Sequence, residues 1–250
     1  MPNGKSNQSL SDISALVLAG GFGTRSKPVL GETPKLLAPL ADRPFLDYLM
    51  AWLKSFGLRQ VTLSLGHLAD QIIDYVDAHP YRDMEVKIVI ESEPLGTAGA
   101  IAFARQKIAS SPVLVLNGDS YVSADLQTFY EFHVNGDFDA SLICTEVPDA
   151  ARFGRVLVDE ANLITCFQEK DTTSGGSGLI NAGVYLLGDE LLDNISRLGK
   201  GSIEHDIFSA RPQPRLGAFN GKFDFIDFGT PESYAQAQTI FAKLSIPETH

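Results

Sequence analysis

The chain has 250 residues, 44% of them hydrophobic, with 20 basic against 31 acidic side chains and a net charge of −11. That length buries a core of ordinary size, as one large domain or two closely fused halves. The acidic balance argues against a nucleic-acid or anionic-membrane surface, which needs a basic patch, but leaves room for a local basic pocket.

The opening stretch, MPNGKSNQSLSD, is polar and lacks the apolar segment of a secretory signal, so residues 1–12 are expected to form a disordered tail. No apolar run approaches the ~18 residues of a membrane span, and the expected setting is the cytosol. Cys144 and Cys166 stand in no CxxC arrangement and read as small core residues, with no zinc site implied.

Apolar runs at Ala15–Ala19, Val61–Leu65, Val86–Ile90 and Val113–Asn117 predict strands, and Pro44–Phe56, Leu68–Ala78 and Ala98–Ser110 predict helices between them. That alternation predicts an α/β fold with a mostly parallel sheet covered on both faces, its ligands held at the carboxyl ends of the strands. After residue 140 the spacing is less regular. Strands are expected at Ala140–Val147, Gly154–Asp159, Leu163–Glu169, Ile180–Leu187 and Phe223–Asp227, and the DTTSGGSG stretch, Asp171–Gly178, reads as a mobile loop. With no repeats and no long linker, residues 13–250 read as one domain. Its 13–139 part serves mainly a nucleotide and its 140–250 part an acceptor.

Four stretches carry chemistry. LVLAGGFGTR, Leu16–Arg25, runs a buried strand into three glycines and an arginine. Glycines suit any tight strand-to-helix turn, but bare backbone N–H groups also surround a triphosphate without obstruction, with Arg25, Lys27 and Lys35 supplying charge. The spacing is neither a Walker A loop nor GxGxxG. ESEPLGTAGA, Glu91–Ala100, reads at its plainest as a loop capping a helix through Thr97. Asp119 in LNGDS is at its plainest a turn residue. Gly154 in RFGRV, Glu169-Lys170 in FQEK and Asn181-Ala182-Gly183 in LINAGVYLL would pass as surface charge and a strand bulge. The five histidines show no metal spacing, His205 falling in a helix near the acceptor pocket, and no Ser/His/Asp or Cys/His set supports covalent catalysis.

LAGGFGTR followed by Pro34-Lys35 resembles the signature of sugar-1-phosphate nucleotidylyltransferases, with one departure: Ser26 stands where that family usually has an apolar residue. The similarity runs from about residue 14 to residue 240, with motifs in family order. It implies a Rossmann-like mixed sheet of the nucleotide-diphospho-sugar transferase kind. On the NTP side it implies Leu18, Ala19, Gly20, Gly21, Gly23, Thr24, Arg25 and Lys35, together with Asn117, Gly118 and Asp119. Arg25, Lys35 and Asp119 take the catalytic roles. Gly96 and Thr97 would wall the base pocket, and the Glu93 carboxylate would accept the N1–H and N2–H of guanine, which uracil and thymine cannot match. Asp119 and Asp227, in FDFIDFGTPESY, inherit the binding of Mg²⁺, a hard ion suited to carboxylates, waters and phosphate oxygens. Gly154, Glu169, Lys170, Asn181 and Gly183 inherit the sugar phosphate.

The implied reaction joins an NTP, GTP by the EPLGTAG wording, to a sugar 1-phosphate. The compact chain, ending soon after FIDFGTPESY without a C-terminal β-helix, looks most like D-glycero-D-manno-heptose 1-phosphate guanylyltransferases, which serve bacterial surface polysaccharides. Mannose 1-phosphate guanylyltransferases come next, followed by uridylyl, thymidylyl or cytidylyl relatives. A glycosyltransferase would want an Asp-x-Asp motif, which Asp119-Ser120-Tyr121 lacks, and a regulatory member would be expected to lose charged site residues that this chain keeps. The implied partners are the NTP and the sugar 1-phosphate, with no nucleic acid or membrane; a homo-oligomer stays open.

Overall fold

The computed structural model describes residues 9–23, 26–108, 110–168 and 176–244. Seven strands form one sheet in the spatial order Leu216–Gly221, Ala140–Val147, Gly178–Leu187, Val113–Asn117, Ser14–Ala19, Gln60–Leu65 and Glu85–Ile90. Neighbours run parallel except Gly178–Leu187, which is antiparallel on both sides. The apolar runs are continuous rather than alternating because both faces of the sheet are covered. Ala15 and Val17 enter one core with the helices Phe45–Ser55, Ala69–Ala78, Leu126–Gly136 and Pro231–Phe241. Leu16, between them, enters the other core with Gly96–Ala104 and Asp189–Ile195. Among the described residues no helix is long and apolar enough to cross a membrane.

Several expectations change. Leu10–Asp12, placed by sequence in a disordered tail, form a 3-10 turn that buries Leu10 to 1% exposure, so the ordered fold includes part of that stretch. Cys144 is buried as expected, but Cys166 is exposed, because its strand Ile164–Gln168 pairs only with Arg155–Val158 in a hairpin outside the main sheet. The helix expected over Ala98–Ser110 ends at Ala104 and tightens into a 3-10 turn over Arg105–Lys107. The edge strand Leu216–Gly221 went unanticipated: two glycines and an asparagine in LGAFNG hide its pattern, and its stability comes from parallel pairing with Ala140–Val147. Residues 171–175 of the expected mobile loop lie outside the described residues.

His133 is an internal group with a consequence for stability. It sits buried in Leu126–Gly136, its Nδ1 2.9 Å from Ser141 Oγ, and burial lowers its pKa from 6.5 to about 4. The folded state therefore binds fewer protons than the unfolded chain between those two values. Stability is full above the unfolded pKa and falls as pH drops through the window, by roughly 3 kcal/mol at its limit. The urea midpoint should fall between about pH 7.5 and about pH 5, and His133→Gln should shrink that fall. An equal fall in both proteins would assign the acid sensitivity to other groups.

Candidate active site

Three parallel strands, Ser14–Ala19, Gln60–Leu65 and Val113–Asn117, deliver their loops to one edge of the sheet. There the structure opens a cavity of about 480 Å³, within the range of small-ligand sites. Leu18, Ala19, Gly20, Gly21, Gly23, Lys35, Gly96, Thr97, Asn117, Gly118 and Asp119, all expected from sequence, line it. The loops are locked together, with the Gly118 N–H donating to Leu18 O at 2.8 Å.

The glycines serve different ends. A side chain on Gly21 would meet nothing within 4 Å, so its backbone faces open space. A Cβ on Gly20 would instead come within 2.6 Å of Glu91 Oε1, so this glycine admits a carboxylate of the protein itself. Gly23 has φ +60°, and the loop is pinned there by Ser26, whose hydroxyl donates to Gly23 O at 2.9 Å. That bond explains the departure from the family's apolar residue. Ser26 is buried, and its polar atom is satisfied by the loop it follows. Thr24 and Arg25 lie outside the described residues.

Lys35 opens a 3-10 turn and reaches Asp119, Nζ to Oδ2 at 2.7 Å, in the cavity lining. Lys27, at the rim, pairs instead with Glu32 at 2.6 Å, both well exposed. Asp227 belongs to the short strand Phe225–Asp227, which pairs with Ser120–Val122 and sets Asp227 opposite Ser120. The Phe228 N–H donates to Asp119 O at 3.3 Å, so the fold brings together two aspartates that are far apart in the chain. One oxygen of Asp227 accepts the Gly229 N–H, and Asp227 itself is not among the residues that line the cavity. Two carboxylates at adjoining positions are oxygen-only, hard donors and fit Mg²⁺. Among the described residues no group of three or more His, Cys, Asp or Glu converges, so the protein itself would supply few of an ion's ligands.

Glu93, expected from sequence to read the base, is exposed and is not among the residues that line the cavity. Glu91 lines it, buried at 8% exposure, with Ser64 Oγ donating to Oε1 at 3.0 Å and the Leu95 N–H to Oε2 at 3.2 Å. Each oxygen keeps a further lone pair. A sequence signal existed, since Glu91 directly follows the strand Glu85–Ile90, at the carboxyl end where such sheets bind ligands. Thr97 is not the helix cap either. Leu95 holds that position, and Thr97 Oγ1 accepts from the Ile203 N–H at 2.8 Å.

Gly96 has φ +73°, and a Cβ on it would meet Gly201 O at 2.4 Å. Gly96→Ala should therefore push the loop off Gly201 and weaken nucleotide binding roughly tenfold or more through strain of about 1–3 kcal/mol. Calorimetric titration of GTP checks this, and unchanged affinity would remove Gly96 from the pocket's construction.

Of the acceptor-side residues that are described, Gly154, Asn181 and Gly183 are not among those that line the cavity. Gly183, with φ +76°, sits at the irregularity where the Gly178–Leu187 strand shifts register against Ala140–Val147. A Cβ there would meet Asn117 Nδ2 at 2.5 Å, so Gly183 adjoins a cavity residue. Asn181 Oδ1 accepts the Gly183 N–H at 2.9 Å, while its Nδ2 donates to Tyr185 OH at 2.9 Å and to Glu204. Burial, then the nearby Glu204 charge, raises the Tyr185 pKa, keeping its hydroxyl protonated. Gly154, φ +82°, follows Phe153, whose ring centroid lies 5.5 Å from that of Phe225. Glu169 and Lys170 lie outside the described residues.

A glycine-lined cavity at the carboxyl edge of an α/β sheet, with a lysine–aspartate pair in its lining, describes a protein that handles nucleoside phosphates. The chain belongs to the Nucleotidyl transferase family, which matches it over residues 14–243. It is 34% identical over 227 residues to a D-glycero-alpha-D-manno-heptose 1-phosphate guanylyltransferase of Aneurinibacillus thermoaerophilus, covering 90% of this chain and 97% of that one. The protein of that name from Campylobacter jejuni is 35% identical, with 89% and 97% covered. Among solved structures, HddC from Yersinia pseudotuberculosis complexed with GMP-PN superposes with a TM-score of 0.82 at 37% identity, covering 92% of this chain and 99% of that one.

Proposed function

We propose that the protein transfers a guanylyl group from GTP to D-glycero-α-D-manno-heptose 1-phosphate, giving GDP-heptose and pyrophosphate for surface polysaccharide synthesis in the cytoplasm. The observation that carries this is the buried Glu91 carboxylate in the lining of a cavity that the Lys35–Asp119 pair also lines. The relatives named above for that activity, and the one complexed with GMP-PN, support it.

In this reading guanine lies against Gly96 and Glu91, and the phosphates run along the backbone of Gly20 to Gly23 towards Lys35. A phosphate oxygen of the heptose 1-phosphate attacks the α-phosphorus in line. The new O–P bond forms as the bond to the β-phosphate oxygen breaks, and pyrophosphate leaves. The attacking phosphate is already ionised, so no side chain has to remove a proton. Two anionic reactants must be held together and aligned, and the residues act by position and charge. Lys35, held by Asp119 beside the cavity, would meet a phosphate oxygen there. Arg25 and Lys170 are assigned the remaining phosphate charge, and Glu169 a sugar hydroxyl, from sequence. Asp119 and Asp227 would hold Mg²⁺, which when bound neutralises phosphate charge.

Pyrophosphate release measured over four NTPs and a panel of sugar 1-phosphates tests the proposal. GTP with the manno-heptose 1-phosphate should give the highest kcat/KM. A preference for UTP or dTTP would overturn the base assignment, and a preference for mannose 1-phosphate the sugar.

A further inference from the structure

The segment that carries Lys35 has little of its own to hold it in place. After the 3-10 turn Lys35–Leu37 comes a ladder of two residues a side, Pro39–Leu40 against Arg43–Pro44. Pro39 faces Pro44, neither has an N–H to give, and a two-stranded ladder this short is not stable alone. Ala41, in the connection, has φ +48°. That left-handed conformation is costly for a residue with a side chain and persists only where the surroundings enforce it.

The helix Pro231–Phe241 supplies those surroundings. Gln238 uses both ends of its amide: Nε2 donates to Pro39 O at 2.6 Å, and Oε1 accepts the Ala41 N–H at 2.9 Å. Tyr234, one turn earlier on the same face, donates its hydroxyl to Pro39 O as well. Apolar contacts back this clasp. Phe241 packs edge-on against Phe45 and Tyr48, with ring centroids 5.9 and 4.8 Å away, and Tyr48 OH donates to Asp42 Oδ1 at 2.6 Å.

The start of the same helix belongs to the aspartates. Thr230 caps it just after Asp227, accepting the Ser233 N–H. Between Asp227 and that cap, Phe228 donates its N–H to Asp119 O and sets its ring 4.6 Å from that of Phe45. One helix thus begins beside Asp227 and, further along, fixes the ladder just beyond Lys35.

We propose that Gln238 and Tyr234 are positioning residues for the transfer: by binding Pro39 and Ala41 to the helix that starts at Asp227, they set Lys35 against Asp119 and the phosphate it would meet. This deepens the proposed reaction and rests on it. Neither side chain is among those that line the cavity, so both act through the backbone from Lys35 to Ala41. Polar contacts suit that task. A hydrogen bond has a direction as well as a distance and fixes the ladder on the helix, whereas apolar contact is non-directional.

The test uses the full-length protein with GTP, Mg²⁺ and D-glycero-α-D-manno-heptose 1-phosphate. Gln238→Leu keeps the bulk and removes both bonds; the backbone groups left behind are near the surface, where water serves them, so the fold should hold. Its kcat should fall roughly 10- to 100-fold, the order expected when a reacting group is misplaced by about 1 Å, with the Kd for GTP unchanged. Tyr234→Phe removes a single hydroxyl and should show a smaller loss of the same kind. Gln236→Leu, at an exposed position of the same helix, is the control and should turn over like the wild type. The deciding measurement is a double variant. In a Lys35→Met background Gln238→Leu should cost nothing further, because the amide acts only through that lysine. A merely structural amide would lower the melting temperature and leave kcat alone, or lower kcat equally in both backgrounds. Wild-type kcat in both Gln238→Leu and Tyr234→Phe, or an undiminished loss on top of Lys35→Met, overturns this inference alone. A wild type that turns over no sugar phosphate with any NTP overturns the proposed reaction and this inference together.

Discussion

Asp119→Asn is expected to lower kcat roughly 10²- to 10³-fold or more, while leaving the fold intact. The expectation rests on separating two roles of one carboxylate. As the partner of Lys35 it contributes little to stability: the side chains are 21% and 38% exposed, and a pair so accessible to water is worth about 0–1 kcal/mol. As a candidate cation ligand beside Asp227 it would matter to turnover, because an amide keeps the shape and loses the charge. Asp227→Asn should behave alike, and both should need more Mg²⁺ than wild type to reach their residual rates. Lys35→Met removes the positive charge instead, and should lower kcat with every sugar phosphate. Melting temperature, turnover against Mg²⁺ concentration and calorimetric titration of GTP with Mg²⁺ provide the measurements. Wild-type turnover of either aspartate variant at limiting Mg²⁺ would remove that residue from the site.

The second large effect belongs to Glu91. Guanine presents two N–H donors on the edge that a carboxylate can meet, and Glu91 keeps a lone pair on each oxygen after Ser64 and Leu95 are served. Glu91→Gln preserves the size and the acceptor for Ser64 but sets an amide N–H against the Leu95 N–H and the guanine edge alike. A buried donor without a partner costs about 1–3 kcal/mol, so the preference for GTP over ATP should fall roughly 10- to 100-fold. Glu93→Gln, two residues on and exposed, should leave that preference where it was. Comparing kcat/KM for the two nucleotides decides the matter. A preserved ratio in Glu91→Gln would end its role in reading the base, and a ratio lost only in Glu93→Gln would restore the sequence expectation.

Strand and helix alternation up to residue 117 was legible because it depends on local composition. Runs such as ALVLA and VLVLN have one stable use, as strands covered on both faces. Beyond residue 140 the same reasoning still found strands but not their partners. Ile164–Gln168 and Phe225–Asp227 read like sheet strands, yet each pairs in a small ladder of its own. Leu216–Gly221, unmarked as a strand in the sequence, completes the sheet. Pairing is a long-range choice, settled by which backbone edges are free when the core closes.

The site divides along the same line. Taken alone, the residues from Leu16 to Lys35 determined that a bare, positively edged turn would follow a buried strand, since both ingredients lie within a few positions of each other. Family order in the motifs determined the kind of chemistry. Tertiary structure decided what each residue faces: that Gly20 makes room for Glu91 rather than for a ligand, that Glu91 rather than Glu93 enters the cavity, that Asp227 comes beside Asp119, and that Asn181 is engaged by Tyr185 and Glu204. Residue type states which bonds a side chain can make. Only the packing of distant strands and turns determines which of them are already made within the protein and which are left for a ligand.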